Sequence, residues 1–188
     1  MKINKKLKKF VLTFLFICFS FFLFRAFVVR QLISRADAFF SFCMFEDATR
    51  QYRKAILLDP KNNYARNWLA YTYDKIGDTE AAISTYKKAI EVDSQNRIAL
   101  YDLGAIYLRQ NKYKTAKEYF LKASLVPLEN NNKEDIFYHR SSLVMLSNCQ
   151  EKLQEIEEAI KTNQKILRYY PEDKLARKRI KKLRKLNH

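Results

Sequence analysis

Three residues with the chemistry of an acid, a base and a nucleophile lie close together in the sequence. Asp135, His139 and Ser142 are spaced so that a helix would place them on one face. A Ser–His–Asp set can activate a hydroxyl group for nucleophilic attack. At this spacing on one helix, however, such side chains are far more often a surface ion pair and a solvated hydroxyl. We therefore predict no catalytic role for them.

Other ingredients of a catalytic or metal site are scarce. The second of the two histidines is His188, and neither histidine stands at a metal-ligand spacing from a cysteine. The two glycines, Gly77 and Gly104, are isolated, so no glycine-rich loop is available to hold a phosphate. The sequence predicts a protein that is not an enzyme, binds no metal or cofactor, and has no small-molecule substrate.

The formal charge of +16 is concentrated at the two ends of the chain. All 20 acidic residues lie between residues 31 and 173, together with a nearly equal number of basic residues. A nucleic-acid-binding groove would carry its positive charge along this central part. We therefore expect no DNA or RNA partner.

The amino-terminal segment is suited to crossing a membrane. Residues 10–29 are apolar except for Arg25, and they follow a basic tail, residues 1–9. Twenty helical residues span roughly 30 Å, the thickness of bilayer hydrocarbon, and an arginine near one end can reach the headgroups. We predict an uncleaved transmembrane signal-anchor helix. The alternatives are a cleaved secretory signal, with Cys18-Phe19-Ser20 as the only tolerable cleavage site before bulky Phe21, and a buried helix of a soluble protein.

The charges on either side of this segment indicate its orientation. Five lysines precede it, whereas Arg30 and Arg35 follow it. Because segments rich in lysine and arginine stay in the cytoplasm, we expect a single pass across the cell membrane, with a cytoplasmic amino terminus and an extracytoplasmic remainder. Cys43 and Cys149 do not decide the compartment, since unpaired thiols are compatible with an oxidising one if they are buried.

The membrane segment has no evident linker after it. No glycine or proline occurs before Pro60, and no polar linker separates residues 10–29 from the next apolar positions. The membrane helix can therefore run directly into the following helix, which would hold the rest of the chain rigidly relative to the bilayer. A short break near residues 30–34 is the alternative.

The middle of the chain repeats with a period of 34 residues. Ala48, Ala82 and Ala116 keep this interval. A period of this length with small residues at set places is typical of helix–turn–helix units that stack to bury their apolar faces. We predict an all-α fold. The other columns are Ala55, Ala89 and Ala123; Ala36, Ala70 and Gly104; Phe39, Tyr73 and Tyr107; and Tyr52, Tyr86 and Phe120.

These columns, with Asp59-Pro60 at the end of the first unit, resemble the tetratricopeptide repeat (TPR) family. The resemblance implies a right-handed α-α superhelix, a TPR solenoid, behind the transmembrane helix. It also implies an interaction scaffold that does not catalyse. The expected TPR domain, residues 30–173, has about four repeats, at 29–62, 63–96, 97–128 and 140–173, with a polar insertion around 127–133 and a basic capping helix at 174–188.

The resemblance further implies a concave surface lined by the first helix of each repeat. The lysine–asparagine–arginine clamp that some relatives use for a terminal carboxylate is not matched, because apolar, aromatic or amide residues hold those positions. Tyrosine beside asparagine suits an extended or helical peptide. The alternatives are that the tyrosines only cover the groove, or that another part of the chain fills it. The residues carried over as a partner-binding groove are Ile33, Phe40, Tyr64, Asn67, Tyr71, Tyr101, Leu108, Arg109 and Asn148.

These features together predict a membrane-anchored scaffold. We expect it to bind a protein or peptide partner during the assembly or organisation of a membrane or cell-envelope complex. A structural subunit of a permanent membrane complex and a secreted TPR protein are alternatives. A further alternative is a peripheral binder of anionic lipid, through the basic candidates Lys178, Lys181, Lys182 and Lys185.

Overall fold

The computed structural model of the chain describes residues 5–128 and 132–186, with the backbone alone for residues 5–8. The start of the predicted basic tail, the centre of the predicted insertion and His188 lie outside the described residues. Within them the chain forms nine α-helices and no strand, as the 34-residue period predicts. The helices are α1 (Lys5–Ser41), α2 (Phe45–Leu58), α3 (Asn63–Lys75), α4 (Thr79–Val92), α5 (Arg97–Arg109), α6 (Tyr113–Leu125), α7 (Lys133–Lys152), α8 (Ile156–Tyr169) and α9 (Lys174–Arg184).

The chain divides into two compact units. Unit 1, Met1–Ile76, holds α1 to α3, and unit 2, Gly77–His188, holds α4 to α9. The bounds of the individual repeats remain a prediction.

Helix α1 is 37 residues long and has no break at residues 30–34, so the predicted continuity of the helix is confirmed. Its apolar stretch is long enough to cross a membrane, and large side chains such as Phe10 and Phe16 are exposed along it. The end of the same helix packs on α2 and forms part of a core. One rigid element therefore joins the apolar segment to the folded part of unit 1.

The core of unit 1 is built from the repeating small residues. Ala36, Ala48 and Ala55 are fully buried around the Tyr52 side chain. Methyl groups at these positions let α1 and α2 approach closely, and the tyrosine fills the wider gap. Small and aromatic columns of the repeat thus occupy the positions that the sequence predicts.

Unit 2 uses the same residue types. Ala82, Tyr86 and Ala89 are buried on α4, and Phe120 is fully buried on α6. A Cβ placed on Gly104 would lie 3.0 Å from Phe120 Cε1. This is tighter than ordinary van der Waals contact, so the missing side chain of Gly104 lets α5 approach the Phe120 ring closely.

Asparagine and aspartate side chains begin several helices. Asn62 Oδ1 accepts a hydrogen bond from the Ala65 backbone N–H at 3.0 Å, and Asn96 Oδ1 does the same for Ala99 at 3.1 Å. These caps satisfy donors that have no partner within the helix. Asn62 and Asn96 are themselves 34 residues apart, so the capping residue belongs to the repeat.

Residues with positive φ end the first helix of each pair. They are Cys43 (φ 60°), Gly77 (φ 85°), Asn111 (φ 59°) and Gln154 (φ 61°). The first three are 34 residues apart, and the fourth follows after 43. Glycine and, less often, asparagine favour this conformation, as at Gly77 and Asn111, whereas Cys43 and Gln154 are residues that rarely adopt it.

Helix α7 begins at Lys133, earlier than the predicted repeat start at residue 140. Its first turn is held by Arg97, a residue that is 4% exposed. The Arg97 guanidinium donates to the backbone oxygens of Ala123, Val126 and Pro127, and it pairs with the Asp135 carboxylate. One buried cation thus fixes the end of α6 and the start of α7 within unit 2.

Candidate functional site: the aromatic faces of the inner helices

Five aromatic side chains meet on one face of unit 1. We call them the unit-1 aromatic cluster: Phe40 from α1, Phe45 from α2, and Tyr64, Trp68 and Tyr71 from α3. The ring centres of Phe40 and Trp68 are 5.1 Å apart, and those of Trp68 and Tyr71 are 5.7 Å apart. Edge-to-face pairs at these distances stabilise one another beyond simple burial. The cluster is a preformed apolar surface in which each ring supports its neighbours.

Charged groups border this cluster. Asp37 accepts hydrogen bonds from the Tyr52 hydroxyl at 2.6 Å and from the Tyr64 hydroxyl at 3.1 Å. Burial of Tyr52, and then the Asp37 carboxylate, raise the pKa of Tyr52, so its hydroxyl stays protonated and donates. At the other end, Lys75 Nζ lies 4.9 Å from the centre of the Tyr71 ring. The surface therefore offers apolar rings between one carboxylate and one ammonium group.

The spacing on α3 explains why three of these rings share a face. Tyr64, Trp68 and Tyr71 are four and three residues apart, which is the spacing of neighbours on a helix surface. The sequence prediction included Tyr64 and Tyr71 but missed Trp68. Its position between the two tyrosines, one helical turn from each, is the signal that identifies it.

In unit 2 the corresponding face is made by α5 and α7. The Tyr101 ring centre lies 5.3 Å from that of Tyr138 and 5.6 Å from that of Phe120. Burial raises the pKa of Tyr101, the Asp102 charge adds to this, and a hydrogen bond to Ser141 opposes it. Tyr101 is therefore a half-buried neutral ring that is partly committed to the core of unit 2.

The predicted groove residues differ in how much surface they offer. Tyr64 is 50% exposed, whereas Asn67 is only 8% exposed, so the structure removes Asn67 from the accessible set. Ile33 and Phe40 are partly buried against the unit-1 core. The structure thus brings Phe40, Tyr64 and Tyr71 together in unit 1.

Three predicted groove residues remain in unit 2 besides Tyr101. Leu108 packs against the same core cluster as Tyr101. Arg109 is exposed at the end of α5, and Asn148 is half-buried on α7. Tyr138, which the prediction omitted, supplies the ring that links Tyr101 to α7.

The Asp135, His139 and Ser142 set is not a surface feature, and that expectation was wrong. His139 is 2% exposed, with Nδ1 at 2.7 Å from the Tyr170 hydroxyl. Burial lowers the pKa of His139 to about 4, helped by the positive charges of Arg97 and Lys165. Ser142 donates to the backbone oxygen of Tyr138, four residues earlier on the same helix.

Each of these three side chains is bound to a partner outside the set. Asp135 is bound by Arg97, and Ser142 is bound by its own helix backbone. His139, neutral at physiological pH, is held by the Tyr170 hydroxyl and by a hydrogen bond to the Ser124 backbone. The three residues are packing and pairing elements of unit 2.

Most basic residues of α9 lie away from its core, whereas Arg179 is half-buried, pairs with Glu151 and donates to the Val144 oxygen. Ala176, Ile180 and Leu183 are buried, and they recur at helical spacing along α9. The candidate lipid-binding residues are all exposed, and they are Lys178, Lys181, Lys182 and Lys185.

Paired helices, small-residue columns and repeated turns define a protein of the helical-repeat class. Family models described as TPR repeat or tetratricopeptide repeat match residues 51–84, 73–111, 99–125 and 141–173. The chain belongs to the tetratricopeptide repeat family, as the sequence predicts.

Two curated proteins are similar to part of the chain. The TPR repeat-containing protein MJ1428 of Methanocaldococcus jannaschii is 39% identical over 62 residues, which are 33% of this chain and 11% of that protein. The probable UDP-N-acetylglucosamine–peptide N-acetylglucosaminyltransferase SPINDLY of Hordeum vulgare is 33% identical over 86 residues, 42% of this chain and 9% of that protein. The chain thus spans about a tenth of the length of these curated relatives.

Solved structures share the fold. MamA has a TM-score of 0.67 at 21% identity, over 83% of this chain and 80% of that one. The Yersinia enterocolitica chaperone SycD, solved with a peptide of the translocator YopD, has a TM-score of 0.59 at 19% identity, over 65% of this chain and 92% of that one. The predicted fold class, a TPR solenoid, is confirmed.

Proposed function

We propose that this protein is a membrane-anchored scaffold that binds a peptide segment of a protein partner on two aromatic surfaces. One surface is formed by α1 and α3 in unit 1, and the other is formed by α5 and α7 in unit 2. Its role in this proposal is the assembly or organisation of a membrane or cell-envelope complex, without a catalytic step.

The observation that carries the proposal is the partly open unit-1 aromatic cluster. Tyr64 leaves half of its surface to solvent while its ring packs on Trp68, at 6.1 Å between ring centres. Rigid aromatic side chains that are already packed lose little entropy on binding, and they are frequent anchors of interfaces. SycD, which has a similar fold and was solved with a YopD peptide, supports a peptide as the class of ligand.

The border of the cluster suggests the chemistry of that peptide. Asp37 and Lys75 present opposite charges at the two ends of an apolar strip. An extended or helical segment with an apolar side chain at its centre would match the rings, and flanking basic and acidic groups would match Asp37 and Lys75. Charge complementarity of this kind sets the direction in which the peptide lies.

The first part of α1 supports the anchor in this proposal. Its most apolar window has a mean hydropathy of 2.3, and large side chains along it, including Phe21, are exposed. Monomeric soluble proteins rarely expose a contiguous apolar surface of this extent, whereas lipid acyl chains would cover it. The proposed orientation keeps the amino terminus in the cytoplasm, because five lysines precede the apolar stretch.

Site-specific photo-crosslinking in native membranes tests the binding face. Benzoylphenylalanine replaces Tyr64 on the proposed face, or Leu57, which is 81% exposed on α2, as the matched control. We expect one discrete crosslinked partner from Tyr64 and no such product from Leu57. Equal products from both positions, or none from Tyr64, would refute the assignment of this face.

Carbonate extraction and intact-mass measurement test the anchor separately. The full chain should stay in the washed membrane fraction and keep its complete mass. A mature amino terminus near Phe21 would mean that the segment is a cleaved signal, and the membrane part of the proposal would then be withdrawn.

A further inference from the structure

A cleft of about 410 Å³ lies in unit 1 between α1 and the turn that joins α2 to α3. Phe22, Val29 and Arg30 line it from α1, and Asp59 and Asn62 line it from the turn. Its volume falls within the range of about 300–1,000 Å³ that is typical of small-molecule sites. It is separate from the aromatic cluster, which is built at the far end of α1.

Two arginines give this cleft its charge. Arg25 and Arg30 both line it, together with Phe22 at its apolar end. Within the part of the chain that the structure describes, neither guanidinium has a carboxylate within ion-pair distance. Arginine presents a planar fork of donors that matches phosphate oxygens. Asp59 also lines the cleft, so the two arginines leave it with a net positive charge beside the apolar wall.

Hydrogen bonds within the protein hold the side chains of Asp59 and Asn62, which form the polar wall of the cleft. Asn62 Nδ2 donates to Asp59 Oδ2 at 3.0 Å, and Asn62 Oδ1 accepts from the Ala65 backbone N–H. The Arg66 charge also interacts with Asp59, and together these contacts hold the carboxylate, whose Oδ1 can accept from a ligand hydroxyl group. A ligand with a phosphate next to a hydroxyl would satisfy both walls of the cleft.

The position of the cleft on α1 indicates where that ligand comes from. Its lining begins at Phe22, inside the apolar stretch of residues 10–29, and it continues to Ile33 beyond it. In the proposed membrane anchor this places the cleft at the level where acyl chains meet headgroups. Phe22 and Val29 would then face acyl carbons, and the arginines would lie at the depth of the phosphates.

We propose that this cleft binds one anionic phospholipid with a hydroxyl-bearing headgroup, of which phosphatidylglycerol is the model. Arg25 and Arg30 hold the phosphate, Asp59 accepts from the headgroup hydroxyl, and the acyl chains follow the apolar side of α1. The inference rests on the proposed membrane anchor. A lipid held there would fix the height and rotation of unit 1 at the membrane surface.

Native mass spectrometry of the full chain in detergent micelles tests this site. Phosphatidylglycerol and phosphatidylcholine with the same acyl chains are supplied in equal amounts, and the complexes with one bound lipid are compared. We expect a preference for phosphatidylglycerol of about tenfold, corresponding to about 1.4 kcal/mol. The variant Arg25→Gln with Arg30→Gln should bind the two lipids about equally, and Arg30→Gln alone should show a reduced preference.

Arg35→Gln is the matched control, because Arg35 is an exposed arginine on the same helix that does not line the cleft. It removes the same charge and should leave the preference unchanged. Equal loss in Arg35→Gln, or an unchanged preference in the double variant, would overturn the proposal. Displacement of the lipid by millimolar glycerol phosphate would also overturn it, because the site would then take a soluble phosphate.

The outcome of carbonate extraction separates this inference from the proposed function. A chain that stays in washed membranes but shows no lipid preference would refute the lipid site and leave the anchor standing. A chain that carbonate releases would refute the anchor and the lipid site together.

Discussion

Replacing Arg97 with methionine should destabilise unit 2 and release the start of α7. The side chain is buried and holds two chain segments at once. Its Nε donates to the Ala123 oxygen at 3.2 Å, and its Nη2 donates to the Pro127 oxygen at 3.0 Å. Its Nη1 donates to the Asp135 backbone oxygen at 3.1 Å and pairs with the carboxylate of the same residue. Methionine fills much of the volume but supplies none of these donors.

The size of the effect can be worked out from these contacts. Removing one partner of a buried ion pair costs about 3–5 kcal/mol, because the remaining charge and carbonyls lose their compensation. The Asp135 carboxylate keeps 17% of its side-chain surface, so water can recover part of the loss. We expect about 3 kcal/mol for Arg97→Met. Since Tyr138 comes three residues after Asp135 on α7, the contact between Tyr138 and Tyr101 should loosen as well.

Thermal melting and hydrogen exchange of the full chain in detergent check this expectation. The melting temperature should fall, and amides at the end of α6 and the start of α7 should exchange about tenfold faster or more. Arg168→Met is the matched control, because Arg168 is exposed on α8 and its replacement should cost about 0.5 kcal/mol or less. A loss below about 1 kcal/mol for Arg97→Met, or equal losses for the two variants, would refute the reasoning.

Three further predictions concern packing, pH and thiol reactivity. Gly104→Ala should lower stability by about 1 kcal/mol in thermal melts, because the new methyl group meets the buried Phe120 ring at 3.0 Å and this outweighs the gain in helix propensity. His139 has a folded pKa of about 4 against 6.5 when free, so the stability that its neutral form provides is complete above about pH 6.5 and declines as pH falls towards 4. After allowance for solvent screening of the nearby charges we expect a loss of about 1–2 kcal/mol, which His139→Gln should remove from the pH profile of the melting temperature. A maleimide reagent should label exposed Cys43 quickly, whereas buried Cys149, whose pKa burial raises to about 11, should react only after unfolding, as mass spectrometry can detect.

The core of this fold could be predicted from the sequence because its packing repeats. Ala48 and Ala82 are buried in the column that the 34-residue period defines, and so are Tyr52 and Tyr86 in theirs. The paired helices approach each other in the same way in each repeat, so the same residue type recurs at the same position. Gly104 was identifiable for the same reason, because the column that it occupies otherwise holds alanine.

The turns between paired helices were less predictable, although they repeat just as regularly. Cys43, Asn111 and Gln154 adopt the same left-handed conformation as Gly77. Backbone hydrogen bonds close these turns, from Met44 N–H to the Phe39 oxygen, from Lys112 N–H to the Tyr107 oxygen and from Glu155 N–H to the Gln150 oxygen. These bonds outweigh the preference for glycine at three of the four positions. A search for glycine alone finds only one of them.

The candidate binding faces were predicted only in part. Trp68 was missed because it lies outside the ligand-contacting columns carried over from the family, yet it touches Phe40, Tyr64 and Tyr71. Asn67 was included by column but is buried. The position of a residue within the repeat indicates which face of its helix it occupies. Its exposure depends on the other helices that pack over that face, and the sequence of one helix does not reveal them.

The length of helix α1 sets both the distance of α2 and α3 from its amino-terminal end and their rotation around its axis. Its 37 residues form one helix of about 55 Å, and every residue added to it would turn α2 and α3 by about 100° around its axis. A single-residue insertion near Leu15 would therefore rotate Phe22, Arg25 and the rest of unit 1 to a different side relative to the amino-terminal part. Seven added residues would nearly restore the original direction, at a height about 10 Å greater. The number of residues in this helix therefore determines the direction in which the rest of unit 1 faces relative to the amino-terminal part of the helix.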